Sequence, residues 1–98
     1  MILEIAQIEI KEGTQSAFER GVARSHELFL RAKGFLGVEL QRSVEFPGRY
    51  RLLVRWNSLQ DHTITFRNSA DFAVWRSNVQ EYFAAPPTVE HHEAVNIE

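Results

Sequence analysis

A chain of 98 residues, 44% hydrophobic and 24% charged, holds one globular domain spanning 1–98 and is too apolar to be disordered. Its net charge of −2, from 11 basic and 13 acidic residues, gives no electrostatic ground for binding nucleic acid. No apolar run approaches the ~20 residues of a membrane span, and the absence of cysteine excludes disulfides and thiolate metal sites.

Met1-Ile2-Leu3-Glu4 lacks the charged start and long apolar stretch of a secretion signal, so a cytoplasmic protein is expected. It reads as the opening of a strand, Ile2 to Ile10. Ile2, Ala6, Ile8 and Ile10 share one face, with Glu4 the exception; Leu3, Ile5, Gln7 and Glu9 share the other. Lys11-Glu12-Gly13 is a turn and Thr14 a helix cap. From Gln15 to about Lys33, Ala17, Phe18, Gly21, Val22, Leu28, Phe29 and Ala32 repeat at helical spacing, and Gly34 stops the helix.

The second strand runs from Phe35 to Val44, with Leu36, Val38 and Leu40 on one side. Phe46-Pro47-Gly48-Arg49 marks a hairpin turn. A two-residue loop would set Glu39 beside Trp56. A loop of Pro47-Gly48-Arg49 instead sets Leu40 opposite Trp56, Val44 opposite Leu52 and Glu45 opposite Arg51. A one-residue slip inverts the faces, and opposite charges across strands are favourable, so the odd-length loop is preferred. Arg42 then falls on the apolar side.

The third strand, Tyr50 to Trp56, runs into Ser58-Leu59-Gln60-Asp61, a capping box with Asp in place of Glu. A second helix reaches about Phe66. Asn68-Ser69 caps a third, whose inner stripe is Phe72, Trp75, Val79 and Tyr82 or Phe83. After Pro86-Pro87 a last strand, Val89 to Ile97, turns His91 toward the helices and His92 away. The order β-α-β-β-α(α)-β predicts a ferredoxin-like α+β plait, antiparallel, with helices on one sheet face. The free face would carry Leu3, Ile5 and Leu53 among Gln7, Glu9, Gln41, Arg51, Arg55, His92 and Asn96. It is too apolar for open water and too polar for a dry core. A self-complementary homodimer resolves the conflict.

Several stretches carry a family resemblance: Lys11-Glu12-Gly13 after the first strand, Gly34 through Leu40 opening the second, and Leu53-Val54-Arg55-Trp56-Asn57-Ser58. Phe66 through Phe72 and the Val89-to-His91 start add to them. Together they resemble the antibiotic biosynthesis monooxygenase domain family, of the dimeric α/β-barrel group, over nearly the whole chain. The resemblance implies a homodimer with facing sheets and a pocket between sheet and helices in each subunit. Some such proteins oxidise phenolic or quinol-type aromatics with O₂ and no metal or flavin; others degrade haem. The haem-degrading relatives need an Asn on the first strand, a Trp on the second helix and a His on the third. The matching positions hold Ala6, Thr65 (or Phe66) and Trp75, which speaks against that branch.

On this reading Trp56, Phe66, Phe72 and Trp75 would wall a pocket for a small aromatic metabolite, although core packing alone accounts for each of them. His91 and His62 are the candidates to move a proton at neutral pH; a hydrogen-bonded core histidine and a partly exposed helical one are the simpler alternatives. His26 reads as surface. Adjacent His91 and His92 point to opposite faces and cannot easily share a metal ion, so no metal site is expected, and the resemblance implies no other cofactor. Arg42 could bind a substrate oxyanion or, more simply, extend its head to solvent at the sheet edge. It and His91 belong to opposite edge strands. The resulting expectation is a cofactor-independent monooxygenase, with a non-catalytic binding module or a purely structural dimer as rivals.

Overall fold

A computed structural model describes residues 1–98. Strand β1 (Ile2–Glu9) lies inside an antiparallel four-stranded sheet of order β2-β3-β1-β4, with β2 (Phe35–Arg42), β3 (Arg49–Trp56) and β4 (Thr88–His92). Helices α1 (Gln15–Arg24), α2 (His26–Leu30) and α3 (Ala70–Val79) and a π-helical turn, Asp61–Phe66, pack on one face. This is the expected ferredoxin-like plait, with β2 and β4 at opposite edges. Alternation along β1 and β3 buries Ala6, Ile8, Leu52, Val54 and Trp56 against Phe18, Phe29, Trp75 and Val79. Each such side chain contributes about 1.5–3 kcal/mol of burial. On the other face Leu3, Ile5 and Leu53 stay half-buried. Arg49 pairs there with Glu9 at 2.6 Å, and Arg51 with Gln7 at 3.1 Å.

The first helix is not continuous. Ser25 interrupts it, fully buried, donating its hydroxyl to the Gly21 carbonyl at 2.8 Å and accepting from Asn78 Nδ2 at 2.9 Å. Gly21 is the contact point with α3: a Cβ there would lie 2.5 Å from the Asn78 carbonyl oxygen. Gly34 ends α2's exit turn at φ +80°, and the Asp61 carboxyl occupies the place its Cβ would take. Thr14 holds the cap position of α1, but its hydroxyl donates to Lys11 O at 2.6 Å rather than capping the helix. Ser58 and Ser69 do cap, accepting from Asp61 N at 3.2 Å and Phe72 N at 3.1 Å.

Three further expectations are corrected. Leu40 faces Leu52, not Trp56, and Gln41 faces Arg51; the connection is the longer loop Ser43–Gly48. Ser43 Oγ accepts from Phe46 N at 3.0 Å, and the Arg49 guanidinium stacks 4.5 Å from the Phe46 ring centroid. That local turn closes the hairpin before Val44 and Glu45 can join the ladder. The slip is even, so the faces survive it. Second, Leu36 does not share the inner side with Val38 and Leu40: a bulge between Phe35 and Gly37 puts Phe35 opposite Trp56 and leaves Leu36 exposed. Third, the last strand stops at His92 because its partner is Leu3, with almost no β1 left beyond it; Val95 and Ile97 are exposed.

Candidate functional site

A cavity of about 280 Å³ opens between the sheet and the helices. Its floor is Glu4, Ala6 and Ile8 of β1 with Leu52 of β3; His62, Phe72 and Trp75 form the roof. Phe83, Pro87 and Val89 close one side, and Arg67 and Arg76 complete the lining. The size suits a one- or two-ring molecule, at the small end of ligand sites.

The floor carries the chemistry. Strand register sets Glu4 opposite His91 on one side and Val54 on the other, with Ile2 opposite Trp56. Glu4 thus has Trp56 and His91 as same-face neighbours, and the π-helical turn lowers His62 among them. The Trp56 indole N–H donates to Glu4 Oε1 at 2.9 Å. His62 Nε2 lies 3.3 Å from the same oxygen, and His62 Nδ1 lies 2.7 Å from His91 Nε2. His62 also stacks on Trp56, with ring centroids 5.4 Å apart. The result is a chain, Glu4–His62–His91, running from two buried members at the cavity floor to a half-buried one on an edge strand.

Burial sets its protonation. Loss of hydration raises the Glu4 carboxyl to about 7, against the Trp56 hydrogen bond and the Arg67 charge, which oppose the rise. Burial first, then the positive potentials of His91 and Arg67, lowers His62 to about 4. His91 is lowered by burial, then by Arg67 and His92. Near neutral pH both imidazoles are therefore neutral, so the 3.3 Å approach of His62 Nε2 to Glu4 Oε1 is a polar contact rather than an ion pair. Such a chain can hand on a proton. With Glu4 protonated, its proton can pass to His62 Nε2 while the Nδ1 proton passes to His91 Nε2. A proton then leaves His91 Nδ1 at the sheet edge, and Glu4 is again a carboxylate.

Of the residues expected from sequence, His62 and His91 come together, and Phe72 and Trp75 line the cavity. Trp56 and Phe66 are buried behind it: Trp56 anchors Glu4, and Phe66 packs 5.4 Å from Trp56 and 5.8 Å from Phe72. Arg42 takes no part. It sits exposed at the far edge, 3.0 Å from Glu19, beside a polar groove lined by Ser43, Glu45 and Arg49. His26 is exposed, and His92 points away from the cavity, 2.9 Å from Glu90. Sequence reasoning missed Glu4, Arg67 and Arg76. A signal for Glu4 was present: one acid on an otherwise apolar strand face is costly without a partner, and a buried indole N–H needs an acceptor.

Residues 1–78 match the sequence profile of the family described as antibiotic biosynthesis monooxygenase. The chain belongs to that family. The uncharacterized protein YczJ of Bacillus subtilis (strain 168) is 34% identical over 95 residues, covering 97% of this chain and all of YczJ. Among solved structures, a Bordetella bronchiseptica protein provisionally assigned as an antibiotic biosynthesis monooxygenase is 48% identical. It superposes with a TM-score of 0.95 over 97% of each chain. SnoaB, a cofactor-independent oxygenase from Streptomyces nogalater, shares the fold with a TM-score of 0.84 at 16% identity, over 98% of this chain and 94% of its own. No helix is long and apolar enough to cross a membrane.

Proposed function

We propose that the protein is a cofactor-independent monooxygenase that oxidises a small phenolic or quinol-type aromatic to the quinone. The observation that carries this reading is a buried carboxyl with a pKa of about 7 on the floor of an aromatic-walled cavity. A base works best when its pKa lies near the working pH. Glu4 takes the phenolic proton, and His62 and His91 carry it out while a bound ring blocks the mouth. The electron-rich phenolate then gives one electron to O₂, and the two fragments join at the para carbon as a peroxide anion, which takes a proton back through the same chain to become the hydroperoxide. Loss of that carbon's hydrogen with the terminal hydroxyl forms the second carbonyl. In sum, phenol and O₂ give quinone and water. Phe72 and Trp75 hold the ring flat and keep water away.

The same reading makes the protein a homodimer. Leu3, Ile5 and Leu53 form an apolar centre on the free sheet face, rimmed by Arg51, Arg55 and Gln7, and a second copy would cover them. The test is oxygen consumption with a panel of phenols and naphthols whose carbon para to the hydroxyl carries hydrogen. Protein-dependent uptake of one O₂ per quinone is expected, and it should be lost in Glu4→Gln. Ligand-induced thermal stabilisation with no uptake above autoxidation would show a binding module instead.

A further inference from the structure

Two guanidinium groups line the cavity and the chain gives them no counter-ion. Arg31, Arg42 and Arg49 each pair with a carboxylate, Asp71, Glu19 and Glu9 respectively. Arg67 and Arg76 pair with none, as is also true of the exposed Arg20, Arg24 and Arg55, but only Arg67 and Arg76 line this cavity. The Arg76 guanidinium instead sits 6.0 Å from the centroid of Phe72, a cavity wall. The one acid in the cavity, Glu4, is buried on the floor and occupied by Trp56 and His62. A chain with a net charge of −2 has acids to spare, yet none stands at this mouth. The cavity thus combines one buried proton acceptor with two exposed cations among apolar walls, and the Arg67 charge reaches Glu4.

We infer that the natural ligand is a phenolic aromatic bearing an anionic substituent, a carboxylate in the first instance, whose charge is held by Arg67 and Arg76 while the phenol meets Glu4. This inference rests on the cavity being the substrate site and adds the substrate class. The planar fork of arginine matches a carboxylate through two parallel hydrogen bonds. The reverse orientation would bring the anion against Glu4 in a place where burial already disfavours negative charge. The charged end also stays near water, so the ligand's anion is not fully stripped of hydration.

Isothermal titration under nitrogen separates the possibilities without relying on turnover. The probes are 2-naphthol and 6-hydroxy-2-naphthoate at pH 7.5. One charge-assisted pair predicts about tenfold tighter binding of the naphthoate, shrinking as salt rises. In the double variant Arg67→Gln, Arg76→Gln the preference should fall to about one. Equal affinity of the two probes for the wild-type protein would overturn the inference and leave the cavity as a neutral-phenol site. A preference that survives the double variant overturns it as well. Failure of both probes to bind would remove the cavity reading along with it.

Discussion

Replacing Glu4 by Gln tests the electrostatic reading of the site directly. Gln keeps an oxygen to accept the Trp56 indole N–H but cannot ionise. The carboxyl moves from 4.5 to about 7 on folding, a difference of 7 − 4.5 = 2.5 pK units. At about 1.36 kcal/mol per unit, ionised Glu4 costs the native state about 3 kcal/mol. Between pH 4.5 and 7 the folded protein holds this proton more tightly than the unfolded chain, so its contribution to stability falls as pH rises. His62 works in the other direction. Its folded value, about 4 against 6.5, means that the unfolded chain binds more protons over pH 4–6.5 and stability rises with pH there. In the wild-type protein the two slopes nearly cancel between pH 4.5 and 6.5. Glu4→Gln removes the falling one. Urea unfolding at pH 4.5 and pH 8 should show the variant gaining about 3 kcal/mol on the wild type between the two, on the order of ten degrees in Tm for a domain this size. The variant alone should show stability climbing from pH 4 to 6.5. A wild-type–variant difference that is the same at both pH values would mean that Glu4 ionises normally in the fold, and the proposed base would be lost.

Three further outcomes follow from the packing. Gly34→Ala places a Cβ at φ +80° where the Asp61 carboxyl already sits, and should cost about 1–3 kcal/mol in thermal unfolding and disturb the turn that carries His62. Ser25→Ala removes the acceptor of Asn78 Nδ2 at a fully buried position and should cost about 1–2 kcal/mol, measured by urea unfolding. Ile5→Arg puts a charge in the apolar centre of the free sheet face; sedimentation equilibrium should find a dimer in the wild type and a monomer in the variant. A wild type that sediments as a monomer at micromolar concentration would refute the dimer.

Much of the fold was legible because sheet faces depend only on parity. Ala6, Ile8, Leu52, Val54 and Trp56 fall inward under any even register, so the core could be read correctly while Leu40 was set opposite the wrong residue. The register itself was decided by a turn hydrogen bond at Ser43 and by stacking of Arg49 on Phe46, neither of which alters hydrophobic period. The bulge at Leu36 and the π-helical turn at Asp61–Phe66 are likewise tertiary outcomes. Leu36 can be expelled because Phe35 fills the place against Trp56, with ring centroids 6.4 Å apart. At the site, period two correctly aimed His91 at the helices. His62, for which partial exposure on a helix is the simpler expectation, is in fact buried. Glu4 escaped because an isolated acid on a strand gives no spacing to recognise. The lone acid on an apolar face signals that it needs a partner, but which partner appears only when Trp56, more than fifty residues away in sequence, arrives to bond it.

The cost of Glu4 is also the reason to read it as chemistry. A penalty of about 3 kcal/mol is a large share of the 5–15 kcal/mol that holds a typical domain together. An apolar residue there would pack against Val54 and Ala6 without that penalty and would need neither Trp56 nor His62 as polar partners. Buried hydrogen-bonded groups can serve packing specificity, but specificity alone does not require the carboxyl to face a cavity. Nor does it require a second and a third titratable ring in line toward the sheet edge. A base facing a ligand space, with a route for its proton that avoids the mouth, requires both.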